Sequence, residues 1–126
     1  MTGAAINGAC LSTRVLVGDE SLSGAAVTTA IEIPDRAVVV GVTARVITAV
    51  TGAGVTGWRL GVAGSDDRYG SGIGLVADSI ANGVTGSPVA YYGATPLEIT
   101  AEGGAFAGGV VQLAIHYFIL TPPASA

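Results

Sequence analysis

The most polar stretch of the sequence, residues 64–72, places two carboxylates beside an arginine and a tyrosine. Such side chains could bind the hydroxyl groups of a sugar or hold a hard cation through their oxygen atoms; they are Asp66, Asp67, Arg68 and Tyr69. The stretch lacks the regular acidic spacing of a calcium-binding loop. The structural alternative is a turn in which Asp66 caps the backbone and Arg68 pairs with Asp67. We favour this structural loop, over residues 64–74, and keep its four polar residues as candidate glycan contacts.

The adjacent aromatic pair Tyr91-Tyr92 is a further candidate. Neighbouring side chains of a β-strand point to opposite faces, so one ring is expected to point inward and the other outward. An exposed tyrosine near a loop suits contact with carbohydrate or protein, because its ring is apolar and its hydroxyl forms hydrogen bonds. Tyr92 therefore joins the candidate glycan contacts.

The sequence gives little support for catalysis or metal binding. His116 is the single histidine, so a histidine metal site would need several copies around a symmetry axis. A Ser–His–Asp triad stays open, but Gly70-Ser71-Gly72 lacks the G-x-S-x-G pattern of a nucleophile elbow. The scattered acids show no glycosidase pair, and Cys10, the single cysteine, excludes an internal disulfide. We predict a protein that is not an enzyme and has no cofactor and no metal, with His116 on the less apolar face of the last strand.

The composition indicates a surface that is covered in an assembly. Half of the 126 residues are hydrophobic and only 11% are charged, against about 25% in a typical soluble domain. This scarcity of charge predicts an apolar outer surface that meets another copy or a larger assembly. A net charge of −4 without any lysine argues against nucleic acid as a partner.

The longest apolar run, 37–50, does not predict a membrane span. Thr43 and Arg45 interrupt it, and it is shorter than the ~20 residues that a spanning helix needs. The N-terminal residues lack the basic and apolar regions of a secretory signal. We therefore expect folding in a cytoplasm and no membrane partner.

The centre of the chain is expected to be a long β-hairpin. Its first arm, 38–50, is rich in β-branched residues, with Val38, Val40 and Val42 on one face. Its other face is also mostly apolar, which is typical of a strand covered on both sides. A glycine-rich turn and a second alternating run follow. The predicted core includes Val42, Trp58, Leu60 and Ile115.

Seven or eight short strands separated by glycine-rich turns, with no convincing helix, predict an all-β fold. We expect an antiparallel β-sandwich of jelly-roll type, with Asn82-Gly83 as a turn. Residues 11–126 form the single predicted domain, and residues 1–10 an N-terminal arm. The small residues of the arm predict that it docks on a neighbour; Thr2, Gly3 and Ile6 are its candidate contacts.

The segment from about Ile33 to Pro122 resembles the C-terminal domain of spike and fibre proteins from tailed phages and gene transfer agents. The resemblance is carried by VVVGVTARVITAVTGAGVTGWRLGVAGSDDRYGSGIG and by SPVAYYGATPLEITAEGGAFAGGVVQLAIHYFIL. It implies a β-rich, trimeric protein of the virion surface that is made in the host cytoplasm and contacts host polysaccharide.

The resemblance leaves only a short region before the match, whereas fibres have a long N-terminal attachment region. We therefore expect a stand-alone capsid decoration (cement) protein or a head spike, with the major capsid protein as partner. The alternative is the carbohydrate-binding, receptor-recognition tip of a phage fibre.

Overall fold

The computed structural model of the protein describes residues 10–123, without the side chains of Cys10 and of residues 85–87. This part of the chain folds into eight β-strands and has no helix. The strands are β1 (Cys10–Ser21), β2 (Ala26–Ile33), β3 (Val38–Thr51), β4 (Gly57–Val62), β5 (Ser65–Ile73), β6 (Ile80–Ala90), β7 (Thr95–Glu102) and β8 (Gly108–Thr121). In residues 10–123 there is accordingly no helix that is long and apolar enough to span a membrane.

The strands form two antiparallel sheets of four strands each. The first sheet has the order β1-β8-β3-β6 and the second sheet the order β2-β7-β4-β5. The chain crosses from one sheet to the other at every connection except the one between β4 and β5. This is the strand order of a jelly roll, so the predicted all-β sandwich is confirmed.

The predicted central hairpin is wrong. β3 lies between β8 and β6 in the first sheet, whereas β4 lies between β7 and β5 in the second. The glycine-rich turn after β3 is therefore a crossover between the sheets. The hairpin is instead β4–β5, where Val62 pairs with Ser65 around a two-residue turn. Gly64 in that turn has a φ of 82°, a conformation that favours glycine.

The predicted loop over residues 64–74 is a strand for most of its length, because β5 occupies Ser65–Ile73. β5 is the edge strand of the second sheet. An edge strand buries few side chains, and Tyr69 and Ile73 are the buried ones in β5. The polar side chains of β5 therefore give no alternating apolar pattern from which a strand could be predicted. Likewise, Asn82-Gly83 lies inside β6 and does not form the predicted turn.

The facing predicted for the start of β3 is also wrong. The pairing of β3 with both of its neighbours shifts between Val39 and Gly41, which is a β-bulge. Val39 and Val42 are consequently both buried, whereas Val38 and Val40 are only half-buried. Strict alternation fails here because the bulge adds a residue to the strand.

The core lies between the two sheets. Val42, Trp58, Leu60 and Ile115 are fully buried. The Trp58 indole N–H donates a hydrogen bond of 3.0 Å to the backbone carbonyl of Gly74, so the one polar group of this ring is satisfied inside the core.

Candidate assembly interface

The two outer faces of the sandwich differ in chemistry. We call the outward side of the first sheet the first-sheet face and that of the second sheet the second-sheet face. On β8, Leu113 and Ile115 are buried, so Ala114 and His116 point outward. The same alternation places every second residue of β1, β3 and β6 on the first-sheet face.

The strand registers align the first-sheet face in rows of four residues. Its three middle rows contain no Asp, Glu, Lys or Arg; they are Val17–Ala114–Thr43–Asn82, Val15–His116–Gly41–Val84 and Thr13–Phe118–Val38–Ala90. The next row holds Asp19 and Arg45. Arg45 forms an exposed ion pair with Asp78. Charge on this face therefore lies outside the three middle rows, with Asp19 and Arg45 at one end and Arg36 near Leu120 at the other.

Several large aliphatic side chains project from the first-sheet face into solvent. Val15 is 56% exposed and Val84 75%; other exposed members are Leu11, Val17, Ile80 and Leu120. Between β3, β6 and β8 lies an open groove of about 430 Å³, lined by Val40, Gly41, Thr43, Asn82, Val84, Pro88 and His116. An uncharged surface with several exposed aliphatic side chains is typical of an interaction site.

The second-sheet face carries charge instead. β2, β4, β5 and β7 place charged side chains on it, including Glu32, Arg59, Asp66, Glu98 and Glu102. Arg59 pairs with Glu102 at 3.1 Å and with Asp66 at 3.4 Å. The hydrogen bond to the Glu102 carboxylate raises the pKa of the Arg59 guanidinium. A face of this composition suits contact with water.

The residues predicted to contact glycan do not line one site. Asp66 pairs with Arg59 instead of forming a loop with Asp67 and Arg68, which are exposed. Tyr69 is buried, and its hydroxyl lies 2.8 Å from that of Tyr91. Burial, followed by this hydrogen bond, raises the pKa of Tyr69 well above its ordinary value. Tyr69 therefore presents no hydroxyl to a ligand in this structure.

Tyr92 lies apart from those four residues. It is 83% exposed and lines a groove of about 310 Å³ with Arg36, Val38, Ala90 and Leu120. The exposed ring of Tyr92 thus lies beside a guanidinium and apolar carbons. Of the five candidate glycan contacts, the four in residues 66–69 thus lie on the second sheet and Tyr92 lies in this separate groove.

His116 is half-buried on the first-sheet face, and its Nε2 lies 2.9 Å from the Thr43 hydroxyl. Over residues 10–123, no three His, Cys, Asp or Glu side chains are grouped so that they could hold a metal ion. The docking-arm candidates Thr2, Gly3 and Ile6 lie outside the described residues.

The sequence predicts a covered apolar surface but does not predict where on the fold this surface lies. The low charge and the two apolar sides of 38–50 were the available signals. The contributions of Val15 and Val84 depend on β1 and β6 joining the same sheet as β3, which is a long-range pairing. No local pattern specifies such a pairing.

No family model and no curated protein matches the chain. Among solved structures, it is similar to a chain of the cyanophage Pam1 capsid asymmetric unit, with 27% identity, a TM-score of 0.62 and 86% of both chains covered. It is also similar in fold to a chain of the acid-stable capsid of Helicobacter pylori bacteriophage KHP30. That match has 11% identity and a TM-score of 0.52, and covers 86% of this chain and 94% of the other. The similarity to the Pam1 capsid chain supports a structural protein of a phage virion, whereas the KHP30 match shows the fold alone.

Proposed function

We propose that this chain is a non-enzymatic capsid-surface protein, a decoration (cement) protein or a head spike that stabilises the particle. The observation that carries the proposal is the 27% identity to a chain of a phage capsid, over 86% of both chains. The major capsid protein would be its partner in the virion. The spike and fibre resemblance of the sequence is consistent with this assignment at the level of a phage surface protein.

The apolar first-sheet face supports a homo-oligomer in this proposal, with a trimer as the expected form. Exposed aliphatic residues such as Val84 would be a liability on a monomer, because contiguous apolar surface promotes association. Three copies around an axis would cover such a surface and leave the charged second-sheet face in water. Formation of the oligomer would thus explain why one face of the sandwich is apolar and the other is charged.

A carbohydrate-binding fibre tip is the second candidate function. It is supported by Tyr92, whose exposed ring lines a groove with Arg36 and Leu120. An aromatic ring stacks on the apolar face of a sugar, and a guanidinium donates hydrogen bonds to its hydroxyl groups. This function would place the chain on the tail or a fibre and not over the whole capsid.

The copy number in purified particles tests the proposal and separates the two candidates. A decoration protein occupies repeated sites on a symmetric shell, so we expect the chain on the order of hundreds of times per particle. A receptor-binding tip would be present in only a few copies. A few copies, or none, would contradict the decoration role.

The N-terminal segment is proposed to be the arm that attaches this domain to the capsid or to a neighbouring copy. Within residues 10–123, β1 pairs on one side only, with β8, and the arm directly precedes this strand in sequence. An added strand binds through backbone hydrogen bonds and needs no particular side chains. It would also protect a sheet edge from aggregation.

Deletion of residues 2–9 tests the arm. We expect the shortened protein to fold but to occupy fewer sites on particles that lack the native protein, measured as bound copies per particle. Full occupancy with unchanged thermal stability would show that the segment is only a tail.

A further inference from the structure

We propose that copies of this chain meet through two different halves of the first-sheet face: the β1 half of one copy packs into the groove between β3 and β6 of the next. The inference rests on the homo-oligomer proposed above and specifies its contact. It commits to a second copy as the occupant of the groove.

The β1 half is a ridge. Val15 and Val17 project from β1 with more than half of each side chain exposed, and Leu11 continues the line toward the start of the strand. Arg14, which lies between these residues in sequence, points to the opposite side of the strand. Apart from Thr13, the ridge is therefore aliphatic along its outward side as far as Asp19.

The β6 half is a depression of about 430 Å³. Gly41 contributes no side chain to its floor, whereas Val84 and Pro88 stand at its β6 side. Two of the polar groups at the floor contact each other, because the Thr43 hydroxyl lies 2.9 Å from His116 Nε2. An aliphatic ridge could thus enter without breaking this contact.

Charge favours another copy as the occupant. The ridge and the groove both lie in the three rows without Asp, Glu, Lys or Arg, so their contact would bury no formal charge and would avoid its desolvation cost. A two-fold axis would place each ridge in the groove of the other copy and give a dimer. Where the rotation between neighbours is instead three-fold, the same contact is heterologous and closes into a ring. Three copies would give the expected trimer.

A charge-swap experiment tests this contact. Val15→Arg alone and Val84→Glu alone each put a charge into the proposed interface, and each should weaken trimer formation about a hundredfold. The double variant should recover most of this loss, because the arginine of one copy then faces the glutamate of the next. Light scattering over a dilution series measures the association. Both positions are exposed in the single chain, so circular dichroism should show unchanged folding.

The distance between Val15 and Val84 makes recovery of the trimer in the double variant a test of contact between copies. Val15 and Val84 lie at opposite ends of one row, three strand spacings apart, or about 14 Å. Pairing within one chain would require both new side chains to lie fully extended along the sheet, so the expected pairing is between copies. Thr28→Arg and Ala30→Glu are the matched controls, because they add the same charges to exposed positions of β2; they should leave the trimer intact.

The outcomes separate this contact from the proposed function. Single variants that trimerise like the unmodified chain would overturn the contact, as would a double variant that stays as dissociated as the single ones. Single variants that keep the trimer but lose binding to particles would assign the face to the major capsid protein and also overturn it. A protein that is monomeric before any substitution, yet decorates particles, would refute the contact while leaving the virion role standing.

Discussion

Replacement of Trp58 by alanine is expected to lower the free energy of unfolding by about 3–5 kcal/mol. The side chain is fully buried on β4 in the centre of the second sheet. The substitution removes the largest buried side chain of the core and leaves a cavity between the sheets. It also removes the hydrogen bond between the indole N–H and the Gly74 carbonyl.

Urea unfolding followed by circular dichroism measures this effect, since the substitution removes the single tryptophan. Tyr92→Ala is the control, because that ring is 83% exposed; its expected effect is within about 0.5 kcal/mol. A loss below about 1 kcal/mol for Trp58→Ala would contradict the central position of this ring.

Gly83→Ala is expected to lower the free energy of unfolding by about 1–3 kcal/mol or more. Gly83 lies on β6 opposite Val42 and is buried beside β5. A Cβ atom at this position would overlap the backbone carbonyl oxygens of Tyr69 and Val42 and would lie 2.9 Å from the Tyr69 Cβ. Backbone atoms cannot rotate away, so the two sheets would have to separate at this edge.

Gly18→Ala is the matched control, because it adds the same methyl group to another strand glycine. Its Cβ would lie 3.4 Å from the Ile31 side chain, in ordinary van der Waals contact. Thermal unfolding should show a clear drop in midpoint for Gly83→Ala and almost none for Gly18→Ala. Equal midpoints for the two variants would mean that β5 and β6 do not approach each other as closely as described.

The fold class could be predicted because alternation is a local property. Val27, Ile31 and Ile33 alternate with outward residues on β2, and Leu97 with Ile99 do so on β7. Each pattern requires only that one face of a strand be buried. The number of strands and the sandwich followed from these segments and from the glycines between them.

The pairing of strands could not be predicted because it depends on distant residues. β3 and β4 are neighbours in sequence, yet they lie in different sheets, and β3 pairs with β8 at the far end of the chain. β5 was missed because an edge strand tolerates Asp66, Asp67 and Arg68 on surfaces that meet water. Apart from Gly41 itself, the sequence contains no feature that predicts the bulge beside this residue.

The chemistry of the candidate interface was only partly visible in the sequence. The scarcity of charge indicated a covered surface, but its location required the rows that join Val15, His116 and Val84 across the first sheet. The glycan hypothesis started from polarity alone. Polarity did not distinguish Tyr69, which is buried, from Tyr92, which is exposed.

The most direct test of the virion role is the ratio of this chain to the major capsid protein in purified particles. Isotope-labelled reference peptides of both chains allow quantitative mass spectrometry of intact, DNA-filled virions. A decoration protein predicts a fixed ratio that corresponds to on the order of hundreds of copies per particle and does not change on further purification. Absence of the chain, a ratio that falls with each purification step, or only a few copies would contradict a capsid decoration protein.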